Sequence, residues 1–229
     1  METREPSFAP AWEAALVIVV TFFVFLFVST ALLFTVGQGP TLIVGELLIL
    51  FVPLAYLLMK RIDVRSYIKI GLNPKYILLG LGFGGVLLLL NIVVSEALTA
   101  IFGQSQAVQQ SNELLASLSS TPGGLVTVAA SLALAGICEE FAFRGFLQTS
   151  IFKSTSATKS STYAFVIAVL ISAGVFGIFH FDPQAVYTIA AFITGLALGY
   201  IYHRWNYTTS AMAHASMNLI VLALLLTGI

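Results

Sequence analysis

Residues 17–28 read VIVVTFFVFLFV, a stretch without any charge and with Thr21 as its single hydroxyl. Polar and apolar residues do not alternate as they do in the strands of a membrane barrel, so the stretch predicts a helix. It lies in an apolar segment over 12–36, and about 20 residues suffice to cross a bilayer. Six further segments of this kind follow, at 41–59, 76–102, 124–150, 162–181, 184–203 and 208–228. The sequence therefore predicts an all-α polytopic membrane protein, a bundle of about seven transmembrane helices.

The composition excludes several classes of protein. Of 229 residues, 10 are basic and 10 acidic, and the charged fraction is 9%, against about 25% in soluble domains. So few charges cannot cover a water-soluble enzyme, and the low charge and 59% hydrophobic content exclude a disordered chain. The net charge of zero gives no attraction for nucleic acid. Cys138 is the single cysteine, so no intrachain disulfide can form.

The basic residues predict the orientation. They follow the second, fourth and sixth spans, at Lys60, Arg61, Arg65, Lys69, Lys75, Lys153, Lys159 and Arg204. Segments 37–40 and 103–123 contain no Lys or Arg. By the positive-inside rule, the N-terminus and the basic loops are expected in the cytoplasm. We read the first span as an uncleaved helix after Met1–Glu5, and segment 104–123 as an external loop or interfacial piece.

The fourth, fifth and seventh spans each carry polar groups of catalytic type, and ionisable residues inside a span are costly and typical of function. Glu139, Glu140 and Arg144 lie in the fourth span, His180 ends the fifth, and His214 opens the seventh. A buried ion-pair network that only fixes helix register would explain Glu140 and Arg144. It would not explain the other three side chains, so we predict a functional site.

Helical geometry suggests separate roles. Glu140 and Arg144 are four residues apart and can pair, whereas Glu139 is rotated by about 100° and has no local partner. Paired carboxylates in different environments can divide into an anchor and a base. His214 and Asn218 share a face, and this pair could stabilise an oxyanion. Phe176 lies four residues before His180, and its ring can pack beneath the imidazole.

Three motifs in this order carry a family resemblance. They are EExxxR at Glu139–Arg144 followed by Gly145, FxxxH at Phe176–His180, and HxxxN at His214–Asn218. The sequence resembles the CPBP family of intramembrane proteases, which includes the type II CAAX prenyl endopeptidases and bacteriocin-processing and immunity proteins. The resemblance covers about 124–228. We therefore divide this single membrane domain into a variable N-terminal half, 1–123, and a CPBP-like catalytic half, 124–229.

The resemblance implies a hydrolase that cleaves a peptide bond of a membrane-associated or lipidated, CAAX-like substrate. Glu139 and His180 would activate a water, and His214 and Asn218 would stabilise the oxyanion. Glu140, Arg144 and Phe176 would support the site. Alternatives are a non-catalytic scaffold or immunity protein of the same family, and a proton-coupled transporter, although the sequence has no inverted repeat. Apart from the substrate and the bilayer no partner is implied, and the oligomeric state is not readable.

Whether the mechanism uses a metal ion is left open by the motifs. Members of the family are often called metalloproteases, and Glu139, His180 and His214 could form a zinc set. However, HExxH is absent, and no acidic residue lies near His214 in the sequence. We expect no cofactor, with a water between Glu139 and His180, and keep zinc as the alternative.

Depth along the helices poses a problem. At 1.5 Å per residue, His214 lies about 10 Å inside the cytoplasmic edge and His180 about 25 Å from it. Upright spans cannot bring these two side chains together. We therefore expect the fifth span to tilt or to stop at Asp182-Pro183 beside a water-filled cavity. The site is expected nearer the cytoplasmic side.

Overall fold

The computed structural model describes residues 8–228 and is helical, with no strand in that range. The helices are α1 (Ala11–Val36), α2 (Gln38–Met59), α3 (Val64–Tyr67), α4 (Pro74–Phe102), α5 (Gln106–Leu118), α6 (Pro122–Glu140), a π-helical segment (Phe141–Gln148), α7 (Thr149–Ser156), α8 (Ser161–Phe179), α9 (Val186–Arg204) and α10 (Tyr207–Thr227).

Seven helices in the described range are long and apolar enough to cross a membrane, with Pro122–Ser156 counted as one continuous helix. The predicted all-α bundle of an integral membrane protein is confirmed. The fourth span is longer than the predicted 124–150. The expected cytoplasmic N-terminus, Met1–Glu5, lies outside the described residues.

Side-chain caps fix where the helices of the C-terminal half begin. Thr121 accepts a hydrogen bond from the backbone N–H of Gly124 at 3.1 Å, and Asn206 accepts one from Thr209 at 3.0 Å. Such caps satisfy backbone donors that have no partner in the first turn. Ser105 caps α5 in the same way, so the segment expected as a loop or interfacial piece contains a helix.

Glycines let α10 approach its neighbours closely. A Cβ added to Gly84 of α4 would lie 2.5 Å from the Cβ of Ser216, and Gly80 faces α10 in the same way. Gly82 and Gly85 do not face a neighbour in this way, since a Cβ added to either meets nothing in the described chain within 4 Å. Small residues at helix contacts permit close backbone approach, and α10 is thereby held against α4.

The other helices of the C-terminal half also meet at small residues. A Cβ on Gly136 of α6 would lie 2.3 Å from the backbone nitrogen of Ala215, and one on Gly195 of α9 would lie 3.1 Å from the Cβ of Ala173 in α8. A Cβ on Gly199 of α9 would likewise meet Val169 of α8 at 3.1 Å. These contacts bring the motif-bearing helices α6, α8 and α10 around one centre.

The fifth span stops where its sequence predicts. Helix α8 ends at Phe179, and the carboxylate of Asp182 accepts hydrogen bonds from the backbone of Gln184 at 3.3 Å and Tyr187 at 3.0 Å. Pro183 has no N–H to continue a helix. Asp182 is buried and caps α9 from the preceding loop. The chain therefore turns back into the bundle directly after His180.

Candidate active site

A buried ion pair lies at the centre of the site. One guanidinium nitrogen of Arg144 lies 2.7 Å from Oε1 of Glu140, and neither side chain has any solvent exposure. The other terminal nitrogen donates to the backbone carbonyl of Gly195 at 3.2 Å. The guanidinium carbon stands 4.3 Å from the ring centre of Phe176. Arg144 therefore connects its own helical segment to α9 and α8. The predicted pairing of Glu140 and Arg144 is present in the structure.

The same glutamate also holds His214. Oε1 of Glu140 lies 3.2 Å from Nδ1 of His214. Because an ionised carboxylate can only accept hydrogen bonds, Nδ1 must carry a proton to make this contact. The Nε2 atom then points to the other side, where it lies 3.8 Å from Oε2 of Glu139. Glu139 lacks a partner within its own helix, as expected, and its neighbour across the helix contact is His214.

His180 is fixed at the end of α8. Its Nδ1 donates to the backbone carbonyl of Phe176 at 2.8 Å, which leaves Nε2 as the free ring nitrogen. Its ring packs against Phe176 at 4.4 Å and against Tyr187 at 5.1 Å between ring centres. The Phe176 ring also lies 5.8 Å from that of His214. The two histidines, which upright spans would separate, thus flank one aromatic ring.

Asn218 lies one turn after His214 on α10, as its spacing predicts. Its Nδ2 donates to the backbone carbonyl of Leu132 at 3.2 Å. An amide nitrogen has two N–H groups, so this bond fixes the side chain and leaves a second donor. The amide of Asn218 is therefore oriented by α6.

These residues surround a cavity of about 840 Å³. Its lining includes Glu139, Phe176, His180, His214 and Asn218. All four predicted catalytic side chains thus reach one space, while Glu140 and Arg144 lie buried behind it. In the described chain, none of the lining residues is a Lys or Arg.

The sequence analysis gave no role to several polar residues of the lining, among them Glu46 of α2, Asn91 of α4 and Tyr187 of α9. The signal for Glu46 was present, since it is an ionisable residue inside a span. It belongs to no motif, however. Asn91 and Tyr187 gave no comparable signal, because amides and phenols are common at helix contacts and membrane interfaces.

The cavity extends towards one end of the bundle. Its lining includes Glu96 near the end of α4, Ser105, Gln109 and Glu113 at or on α5, and Val186 at the start of α9. None of the described lining residues comes from the loops 60–73, 157–160 or 205–206. The cavity thus reaches the end of the bundle that is opposite the basic loops.

The arrangement of the possible ligands bears on whether this site could bind a metal ion. Both histidines have a partner on Nδ1, the carbonyl of Phe176 for one and the carboxylate of Glu140 for the other. Zinc-bound histidines carry partners of this kind, so this hydrogen-bond pattern does not discriminate. Within residues 8–228, however, no three His, Cys, Asp or Glu side chains are grouped closely enough to hold a metal ion. As arranged here, the residues do not fit a zinc site.

Comparison with known proteins agrees with the motifs. Residues 121–220 match the family described as type II CAAX prenyl endopeptidase Rce1-like. No curated protein and no solved structure matches the chain significantly. The matched segment starts at the cap of α6 and contains all three motifs. Helices α1 to α5 lie outside it.

We expect substitutions of the two adjacent glutamates to differ strongly in their effect on the stability of the protein. Glu140→Gln removes the counter-charge of a fully buried guanidinium, and stranding a buried charge costs about 3–5 kcal/mol. We expect this variant to show a strongly lowered melting temperature or yield in detergent. Glu139→Gln makes the same chemical change one residue earlier, at a side chain that faces the cavity, and should unfold close to the wild type. Equal destabilisation of the two variants would contradict the division of roles.

Proposed function

We propose that this chain, whose residues 121–220 match the type II CAAX prenyl endopeptidase Rce1-like family, is an intramembrane protease that hydrolyses a peptide bond with a glutamate-activated water. The substrate class we propose is a membrane protein or a lipidated, CAAX-like peptide. The observation that carries the proposal is the unequal environment of the two glutamates. Glu140 is buried and ion-paired, whereas Glu139 faces the cavity beside Nε2 of His214.

Glu139 is the general base in this mechanism. A water between Glu139 and the free Nε2 of His180 loses a proton to the carboxylate as its oxygen attacks the carbonyl carbon. Proton transfer by a positioned side chain contributes typically about 10²–10⁴-fold to the rate. Glu139 suits this task because its one ion-pair neighbour among the described residues is the imidazole of His214, at 3.8 Å, so its lone pairs stay available. The mechanism assigns no step to a metal ion.

His214 and Asn218 stabilise the oxyanion of the tetrahedral intermediate. Nε2 of His214 donates when the ring carries both protons, while Glu140 holds the proton on Nδ1. Asn218 donates through the N–H that is not bound to Leu132. Such donors act mainly in the transition state, so they lower the barrier without tightening substrate binding.

The catalytic role of Glu139 predicts a specific loss of activity. In liposomes, the wild type should cleave a member of a panel of lipidated and unlipidated peptides, whereas Glu139→Gln should be folded and inactive. Cleavage by Glu139→Gln at the wild-type rate would refute this mechanism.

The proposed oxyanion role of Asn218 makes a second prediction. Asn218→Ala should lower kcat by about 10²–10³-fold with KM little changed, because its hydrogen bond forms in the transition state.

The direction of access is a separate part of the proposal. The positive-inside rule favours cytoplasmic loops at 60–75, 157–160 and 204–206, and the cavity reaches the opposite end of the bundle. We therefore propose that the substrate enters from the non-cytoplasmic face. This differs from the expectation, based on the depth of His214, of a site nearer the cytoplasmic side.

Thiol labelling in intact cells tests this orientation. In a Cys138→Ala background, a cysteine replacing the exposed Gln109 of α5 should react with an impermeant external reagent. A cysteine replacing Leu72, which is exposed at the opposite end, should react only after lysis. The reverse labelling pattern would show that the cavity opens to the cytoplasm.

A further inference from the structure

One carboxyl group of the cavity has no role in the mechanism so far. Glu46 lies on α2, outside the motifs and outside the matched segment, yet it lines the same cavity as Glu139 and both site histidines. Its Oε2 atom is buried and has no hydrogen-bond partner among residues 8–228. An ionised carboxylate is costly to bury without a partner, and the neutral acid costs far less. The surroundings of Glu46 therefore favour the protonated form.

The groups that face Glu46 reinforce this state. Glu139 of α6 and Tyr187 of α9 line the same cavity as Glu46, and neither is a cation. Across the contact with α1, the neighbouring Gly45 meets Phe25 and Ser29, which do not ionise. The remaining titratable groups of α1 and α2 lie more than two turns away along their helices. Glu13 there pairs with Lys60 and contacts Tyr56.

Two carboxyl groups that line one cavity repel each other when both are ionised, so the group without a partner is the cheaper one to keep neutral. Glu139 has a neighbour in Nε2 of His214 at 3.8 Å. Within the described residues no partner lies beside the buried Oε2 of Glu46, so Glu46 is the carboxyl that keeps a proton. The cavity thus offers a base, Glu139, and a neutral acid, Glu46, on different helices.

We propose that Glu46 is the general acid of the reaction and protonates the leaving amine; this inference rests on the proposed function. In the first step, the water oxygen bonds to the carbonyl carbon and Glu139 takes the water proton. In the second, the C–N bond breaks, its electron pair stays on nitrogen, and nitrogen takes the proton of Glu46. Transfer of the proton from Glu139 to Glu46 through cavity water restores the starting state. One water is consumed, and an acid and an amine are released.

Comparing an amide with an ester tests this role. Both substrates carry the same acyl part, but the ester has a leaving group, such as nitrophenolate, that departs without a proton. Glu46→Gln keeps the shape of the side chain and removes the acid. We expect its kcat for the amide to fall by about 10²–10⁴-fold, with the rate for the ester unchanged. Glu96→Gln, at an exposed carboxyl on the wall of the same cavity, is the matched control and should cleave both at wild-type rates.

Each other outcome is decisive. Wild-type amide cleavage by Glu46→Gln, or an equal loss on both substrates, would overturn the role of Glu46. A wild type that cleaves neither substrate would instead refute the proposed function itself. If Glu46→Gln does not fold, Glu46→Ala supplied with formate buffer replaces it. Recovery of amide cleavage with increasing formic acid would support the general acid, and folded Glu46→Ala without recovery would contradict it.

Discussion

The ion pair between Glu140 and Arg144 is the constraint on which the arrangement of the site depends. A guanidinium without solvent exposure must have its charge compensated, because an unpaired buried charge is costly. Glu140 supplies the charge, the carbonyl of Gly195 accepts one N–H, and the face of Phe176 covers the cation. These three partners lie on different helices, so the requirement of one side chain fixes the relative positions of α6, α8 and α9.

This constraint separates the roles of two adjacent carboxylates. Glu140 is turned inwards, where it also orients Nδ1 of His214. The helical rotation of about 100° per residue then turns Glu139 towards the cavity. Four spans contribute cavity groups in the proposed mechanism: Glu139 from the fourth, His180 from the fifth, His214 and Asn218 from the seventh, and Glu46 from the second. The N-terminal half of the chain would thus take part in the chemistry.

Contacts within one helix and the ends of helices could be predicted from the sequence, whereas contacts between side chains of different helices could not. The Glu140–Arg144 pair follows from a spacing of four residues, and the stop after His180 follows from Asp182-Pro183. The contact of Glu140 with His214 joins residues 74 positions apart, and no periodicity encodes it. For the same reason the sequence shows no acidic residue near His214, whereas in the structure Glu139 and Glu140 lie beside its ring. The end at which the cavity opens depends on α5, a short helix of low overall hydrophobicity that the search for apolar spans did not reveal.

The claim of a metal-independent, glutamate-activated water is tested most directly on a single purified sample. Zinc content by elemental analysis and cleavage after prolonged chelation and buffer exchange are measured together. A catalytic zinc requires three protein ligands with an open fourth position, and the residues of this cavity are not grouped in that way. The account predicts well under one zinc per chain and full activity after chelation. Stoichiometric zinc, with activity lost on chelation and restored by adding the metal, would contradict it.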